Sequence, residues 1–79
     1  MNIASYIKEG RLNKKMTQSE LASALGLMVP QFIYNIENEK NNIPISMIKP
    51  ICKILGLNKN KLINLMVDEY KLKLMEESK

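Results

Sequence analysis

Residues 17–38 read TQSELASALGLMVPQFIYNIEN, and the architecture of the whole chain turns on them. Thr17 and Glu20 have the T-x-x-E spacing of a capping box, in which hydroxyl and carboxylate satisfy two of the free amides at a helix start. Met16, one residue before the cap, is placed to staple onto Leu21. The pattern predicts a helix from Gln18 to Leu25 with Leu21, Ala22 and Leu25 facing inward. Gly26 accepts the left-handed backbone that ends a helix and turns the chain sharply. Pro30 suits a first helical position, where its fixed φ is favourable and its missing N–H is not needed. Ile33 and Ile36, three apart, then share a face, so a second short helix is predicted from Pro30 to Asn38.

The flanking segments are helical too. Ile3, Ala4, Tyr6, Ile7 and Leu12 gather near one side of a helix read from Ile3 to Lys15, with Lys8, Glu9, Lys14 and Lys15 as its polar positions. Gly10 costs about 1 kcal/mol there relative to alanine, which marks a close approach by a neighbouring element. Downstream, the polar run Asn38 to Asn42 reads as a loop closed by Pro44, and a fourth helix carries Ile48, Ile51, Cys52 and Leu55. Pro50 inside it predicts a late start or a kink. Gly56 ends that helix, and Asn58 is an N-cap for a last one over about 59–77. The expected fold is all-α: one domain over 1–79, five helices, an extended C-terminal helix, and a helix-turn-helix unit at about 17–38. Its expected inward set is Leu21, Leu25, Ile33, Ile36, Ile48, Ile51, Leu55 and Leu62.

Composition narrows the function. The chain is 46% apolar but only 5% aromatic and lacks Trp, so Leu, Ile and Met must build the core. Its net charge is +4, and residues 66–79 set Asp68, Glu69, Glu76 and Glu77 against Lys71, Lys73 and Lys79. The basic excess therefore lies in the N-terminal two-thirds, where a polyanion is expected to meet the chain. There is no histidine and one cysteine, so zinc sites and Cys–His nucleophiles lack their parts. Glu37 and Glu39, two apart, diverge on a helix, and the isolated glycines form no phosphate loop. No enzymatic activity, cofactor or metal is expected. Cys52, in an apolar stretch, is expected to be buried and inert. No apolar run approaches the ~18 residues that span a bilayer, and a cytoplasmic location without membrane contact is expected.

Two short helices joined by a tight turn form the helix-turn-helix unit, whose second helix enters the DNA major groove. Through Thr17-Gln18-Ser19-Glu20-Leu21-Ala22, Leu25-Gly26-Leu27 and Ile36-Glu37-Asn38, the sequence resembles the Cro and phage-repressor type helix-turn-helix regulators, a lambda-repressor-like fold. The resemblance covers about residues 3–66 and includes a Pro-Gln-Phe-Ile-x-Asn segment, Pro30 to Ile33 followed by Asn35. Met28 and Val29 stand where the family prefers polar capping residues, and Tyr34 where a small residue is common. The resemblance implies a transcriptional regulator, expected to be a repressor, whose recognition helix is the third. It implies that two copies bind a palindromic double-stranded operator. It also implies that the single arginine, Arg11, pairs with Glu37 as a structural brace.

The residues carry a more detailed expectation. With Ile33 and Ile36 inward, Gln31, Tyr34 and Asn35 look outward, and amides at this spacing match the N6 and N7 edge of adenine. These three are the expected base-reading residues. Gln18, beside a helix N-terminus, suits a phosphate, while Lys40 and Asn41 are either a solvated loop or further backbone contacts. Ile63, Val67, Tyr70 and Leu74 form a second stripe, beyond what a small core buries, and point to a homodimer. An alternative function is a protein-interaction module that keeps the fold but uses Met28, Val29, Phe32 and Tyr34 as an apolar patch.

Overall fold

The computed structural model describes residues 2–78; Met1 and Lys79, the ends of the expected 1–79 domain, lie outside the described residues. Five helices follow in order: α1 Ile3–Asn13, α2 Gln18–Ala24, α3 Gln31–Glu37, α4 Ile45–Leu55 and α5 Lys59–Glu77. No strand occurs among the described residues, and the fold is the all-α, five-helix one expected. Three of the five starts, those of α1, α2 and α5, are capped by a side chain. Asn2 accepts from the Ser5 N–H at 2.8 Å, and Asn58 accepts from the Lys61 N–H at 2.9 Å. The capping box is complete, with Thr17 Oγ1 accepting from the Glu20 N–H at 3.0 Å and Glu20 from the Thr17 N–H at 2.9 Å.

The ends of α1, α2 and α3 share one geometry. After α2, Gly26 takes φ +78°, its N–H bonds to the Ser23 carbonyl, and the Leu27 N–H bonds to Ala22. This paired closure is a Schellman motif. Lys15 and Glu39 repeat it after α1 and α3 at φ 57° and 59°, with Met16 N–H on Arg11 and Lys40 N–H on Asn35. Helix α1 therefore stops at Asn13 and not at the expected Lys15, and α3 at Glu37 and not at Asn38. Helix α2 stops at Ala24, one residue short of Leu25, because the closure claims Leu25 as its cap. Pro30 precedes α3 as its cap residue and is not its first helical position.

The core has at least one fully buried large side chain from every helix: Ile7, Leu21, Ile33, Ile36, Ile51 and Leu62. Each such burial is worth about 1.5–3 kcal/mol before conformational entropy is charged. Two members of the expected inward set, Leu25 and Ile48, are only half-buried and pack at its margin. Leu12, expected on the inner side of α1, is 53% exposed. That side is held at Tyr6, Ile7, Gly10 and Arg11, a face on which Leu12 does not lie. Ile43, between the polar run Asn38 to Asn42 and Pro44, is buried as well, although it stands outside the expected inward set.

Two further expectations have clear physical outcomes. Gly10 is where α1 meets Leu57: a Cβ added at Gly10 falls 2.8 Å from Leu57 Cδ2. Helix α4 runs from Ile45 through Pro50 to Leu55, so it does not start late. Ser46, whose carbonyl loses its partner at the proline, is exposed, where water can serve it. Among the described residues no helix is long and apolar enough to cross a membrane.

Gly26 has no atom within 4 Å of an added Cβ, so Gly26→Ala meets no clash and only the left-handed backbone. It is expected to destabilise the domain by about 1–2 kcal/mol in urea unfolding. Cys52 is buried, and burial pushes its thiol pKa up, with Lys59 opposing. Iodoacetamide at neutral pH is expected to label it far more slowly in the folded chain than in urea.

Candidate nucleic-acid interface

The site is built on a buried ion pair. Arg11 and Glu37 meet in a two-point fork, Nε to Oε2 at 2.7 Å and Nη2 to Oε1 at 2.9 Å. Arg11 Nη1 also donates to the Met16 carbonyl at 2.8 Å. Arg11 is only 7% exposed, so both charges lie where an unpaired one would be costly. Hydrogen bonding to Glu37 raises the arginine pKa above its ordinary value, with desolvation opposing. A raised pKa means that this contribution is complete below the ordinary arginine range and lost only above it. The arginine side of the brace therefore adds no pH dependence near neutrality.

Gln18 joins this assembly. Its Nε2 donates to Glu37 Oε1 at 3.3 Å, tying the first turn of α2 to the last residue of α3. The side chain expected beside a phosphate is thus held half-buried against the brace.

Helix α3 packs Ile33 and Ile36 into the core and leaves Gln31 and Tyr34 exposed. Gln31 Nε2 donates to Asn35 Oδ1 at 2.9 Å, so the two amides expected to read bases already share one face and one hydrogen bond. Tyr34 is exposed, and Lys40 Nζ stands 5.2 Å from its ring centroid. That distance is within cation–π range. The Asn35 carbonyl receives the N–H groups of Lys40 and Asn41, which places the expected backbone-contact loop directly after α3. Gln31 and Asn35, and Tyr34 and Lys40, are thus paired by contact, Asn41 follows Lys40 in the loop, and Gln18 is tied to the same helix through Glu37. Phe32 is half-buried and packs on the core. Met28, at the turn before α3, is 99% exposed.

A second surface is separate in chemistry. An open groove of about 810 Å³ is lined by Ile45, Ile48, Ile63, Val67, Tyr70 and Leu74 among others, with Glu39, Glu69, Lys73 and Glu77 also bordering it. The four residues of the expected second stripe all line it. Three polar contacts were not foreseen. The Asn58 N–H donates to Tyr6 Oη at 3.0 Å, Asn2 donates to Glu39, and Glu69 accepts from the Ile3 N–H. The first and last join residues more than fifty positions apart, where no local pattern betrays a partner. Among the described residues no cluster of His, Cys, Asp or Glu has the arrangement of a metal site.

Against known proteins, a family model described as a helix-turn-helix domain matches residues 4–66. No curated protein matches the chain. Among solved structures, the restriction-modification controller protein C.Esp1396I is similar at 29% identity, with 86% of each chain covered and a TM-score of 0.65. A hypothetical transcription factor, NHTF from Neisseria, is 28% identical over 89% of this chain and 79% of its own, with a TM-score of 0.69. The clp gene regulator ClgR from Corynebacterium glutamicum shares the fold, with a TM-score of 0.69 at 18% identity over 96% of this chain and 80% of its own.

Arg11→Ala leaves Glu37 buried without its partner and is expected to cost about 3–5 kcal/mol of folding stability. Arg11→Lys keeps the charge but not the planar fork and should fall between that variant and the native chain. Urea unfolding followed by circular dichroism measures both.

Proposed function

The chain belongs to the helix-turn-helix domain family, in the XRE-like group of DNA-binding transcription regulators, and on that footing we propose that it is a cytoplasmic, sequence-specific repressor. In this reading α3 enters the major groove of a palindromic operator as one half of a homodimer. The chain acts by occupying DNA and not by catalysis.

The observation that supports this most is the polar surface of α3, braced from behind. Gln31 and Asn35 lie on one outward face with their amides in contact, while Ile33 and Ile36 are locked in the core and Glu37 is clamped by Arg11. A pair of amides offers both donor and acceptor to the N6 and N7 edge of adenine. Tyr34 adds an exposed ring between them along the helix. Lys40 and Asn41 follow directly after α3, and in this reading they contact the sugar-phosphate backbone, where the charge of Lys40 supplies affinity without sequence preference. Gln18 approaches the same backbone from α2, while its amide also steadies Glu37.

Homodimer formation is proposed through the apolar groove that Ile63, Val67, Tyr70 and Leu74 border. A two-fold axis there would set two reading helices about 34 Å apart, one turn of DNA. Another reading, an interaction module without specific DNA binding, draws on the full exposure of Met28 and the exposure of Val29 beside it. Random duplex DNA separates the two. Phosphate neutralisation makes affinity fall steeply with salt, whereas an apolar interaction patch shows little such dependence.

Selection from a random duplex pool is expected to enrich a palindrome. Against that operator, Gln31→Ala and Asn35→Ala should each lose about 1–3 kcal/mol of discrimination at one base pair. Lys40→Ala should weaken all sequences alike and lower the salt slope by about 1. Unchanged discrimination in both amide variants would remove these residues from the reading face.

A further inference from the structure

We propose that Glu69 is a positioning residue that sets the direction in which α5 leaves the domain, and through it the spacing of the two reading helices. The spacing half of this inference rests on the operator-dimer reading; the direction of α5 does not.

The inward contacts of α5 belong to its first half, with Leu62 buried and Leu65 and Met66 packed at the core margin. From Tyr70 to Ser78 every residue is exposed. Glu69 stands at the boundary, half-buried, and its Oε2 accepts from the backbone N–H of Ile3 at 2.8 Å. Ile3 is the first residue of α1, so this N–H has no carbonyl within its own helix to take it. A carboxylate at a helix N-terminus is favoured by the helix dipole, and a charged acceptor makes the stronger hydrogen bond.

The contact is one link of a relay. Asn2, adjacent to Ile3, caps α1 and also donates to Glu39 Oε1 at 2.8 Å. Glu39 is the left-handed residue that closes α3. A small cleft gathers Ile3, Ile36, Glu39, Asn41 and Glu69 at one place. The direction of α5 is therefore referred, through the start of α1, to the end of the reading helix. Eight helical residues lie beyond Glu69 up to Glu77, extending α5 by about 12 Å, so a tilt of about 10° there moves its tip by about 2 Å. In a dimer formed through α5, that displacement is carried to the partner's reading helix.

Two measurements test this. In a Cys52→Ala background, spin labels on Ser23→Cys and Glu76→Cys, diluted into unlabelled protein, report the distance from the domain to the α5 tip. One narrow distribution is expected with Glu69, a broadened or shifted one with Glu69→Ala, and recovery toward the narrow one with Glu69→Gln, whose carbonyl still accepts from Ile3. If Glu69→Ala fails to fold, Glu69→Asp keeps the charge on a side chain one methylene shorter and should shift the distribution in its place. Separately, a duplex pool of variable half-site spacing should yield one spacing for the native chain and several, or a different one, for Glu69→Ala, with affinity for an isolated half-site unchanged. An unaltered distance distribution overturns the proposal. An altered distribution with unaltered spacing overturns its second half, and a native chain that enriches no palindrome refutes the dimer reading while the distance result still judges Glu69.

Discussion

The Arg11–Glu37 pair is the constraint around which the other contacts are arranged. Two opposite charges taken out of water must be matched closely or they destabilise what they join. Here the match uses both carboxylate oxygens of Glu37 and three guanidinium nitrogens, the third on the Met16 carbonyl. That requirement brings together the last turn of α1, the residue that leads into α2 and the final residue of α3. The orientation of α3 thus depends on a buried electrostatic fit as well as on apolar packing, which tolerates sliding more readily. Gln18 extends the fit to α2, so the helix-turn-helix unit is held at its open end by charge and at its turn by Gly26.

Much of this was legible from local chemistry. The capping box at Thr17, the glycine turn and the Ile33–Ile36 spacing each act within a few residues, and each placed its element within a residue or two. The largest boundary difference, two residues at the end of α1, falls where a non-glycine residue adopts a glycine conformation. Lys15 and Glu39 take positive φ, a choice that side-chain chemistry disfavours and surrounding contacts impose, so the ends of α1 and α3 were read too far along. Leu12 and Leu25 show a second limit: periodicity marks which positions share a side, while depth depends on which neighbour covers them. The long-range polar contacts of Glu69 and Tyr6 had no sequence signal, since their partners become neighbours only after folding.

The two surfaces follow different physics. On α3, polar side chains stand on a rigid apolar footing, an arrangement suited to a hydrated, charged partner. Along α5, apolar residues line an open groove with charges on its border, an arrangement suited to a partner that removes water. Helix α1 lies between them in the contact order, giving Arg11 to the first surface and the Ile3 amide to the second. Helix α1 therefore carries the geometric relation between the two.

Helices α2 and α3 have seven residues each, well below the ~12–15 at which an isolated helix becomes marginally stable in water. Neither has a life apart from the assembled core. A chain that has lost its tertiary packing keeps no partial version of the helix-turn-helix unit, so the competent fraction of the protein follows its folded fraction. In a cell this makes occupancy of a target a direct function of folding free energy and of the proteases that remove unfolded chains. A destabilising change anywhere in the core would then act as a change in dose.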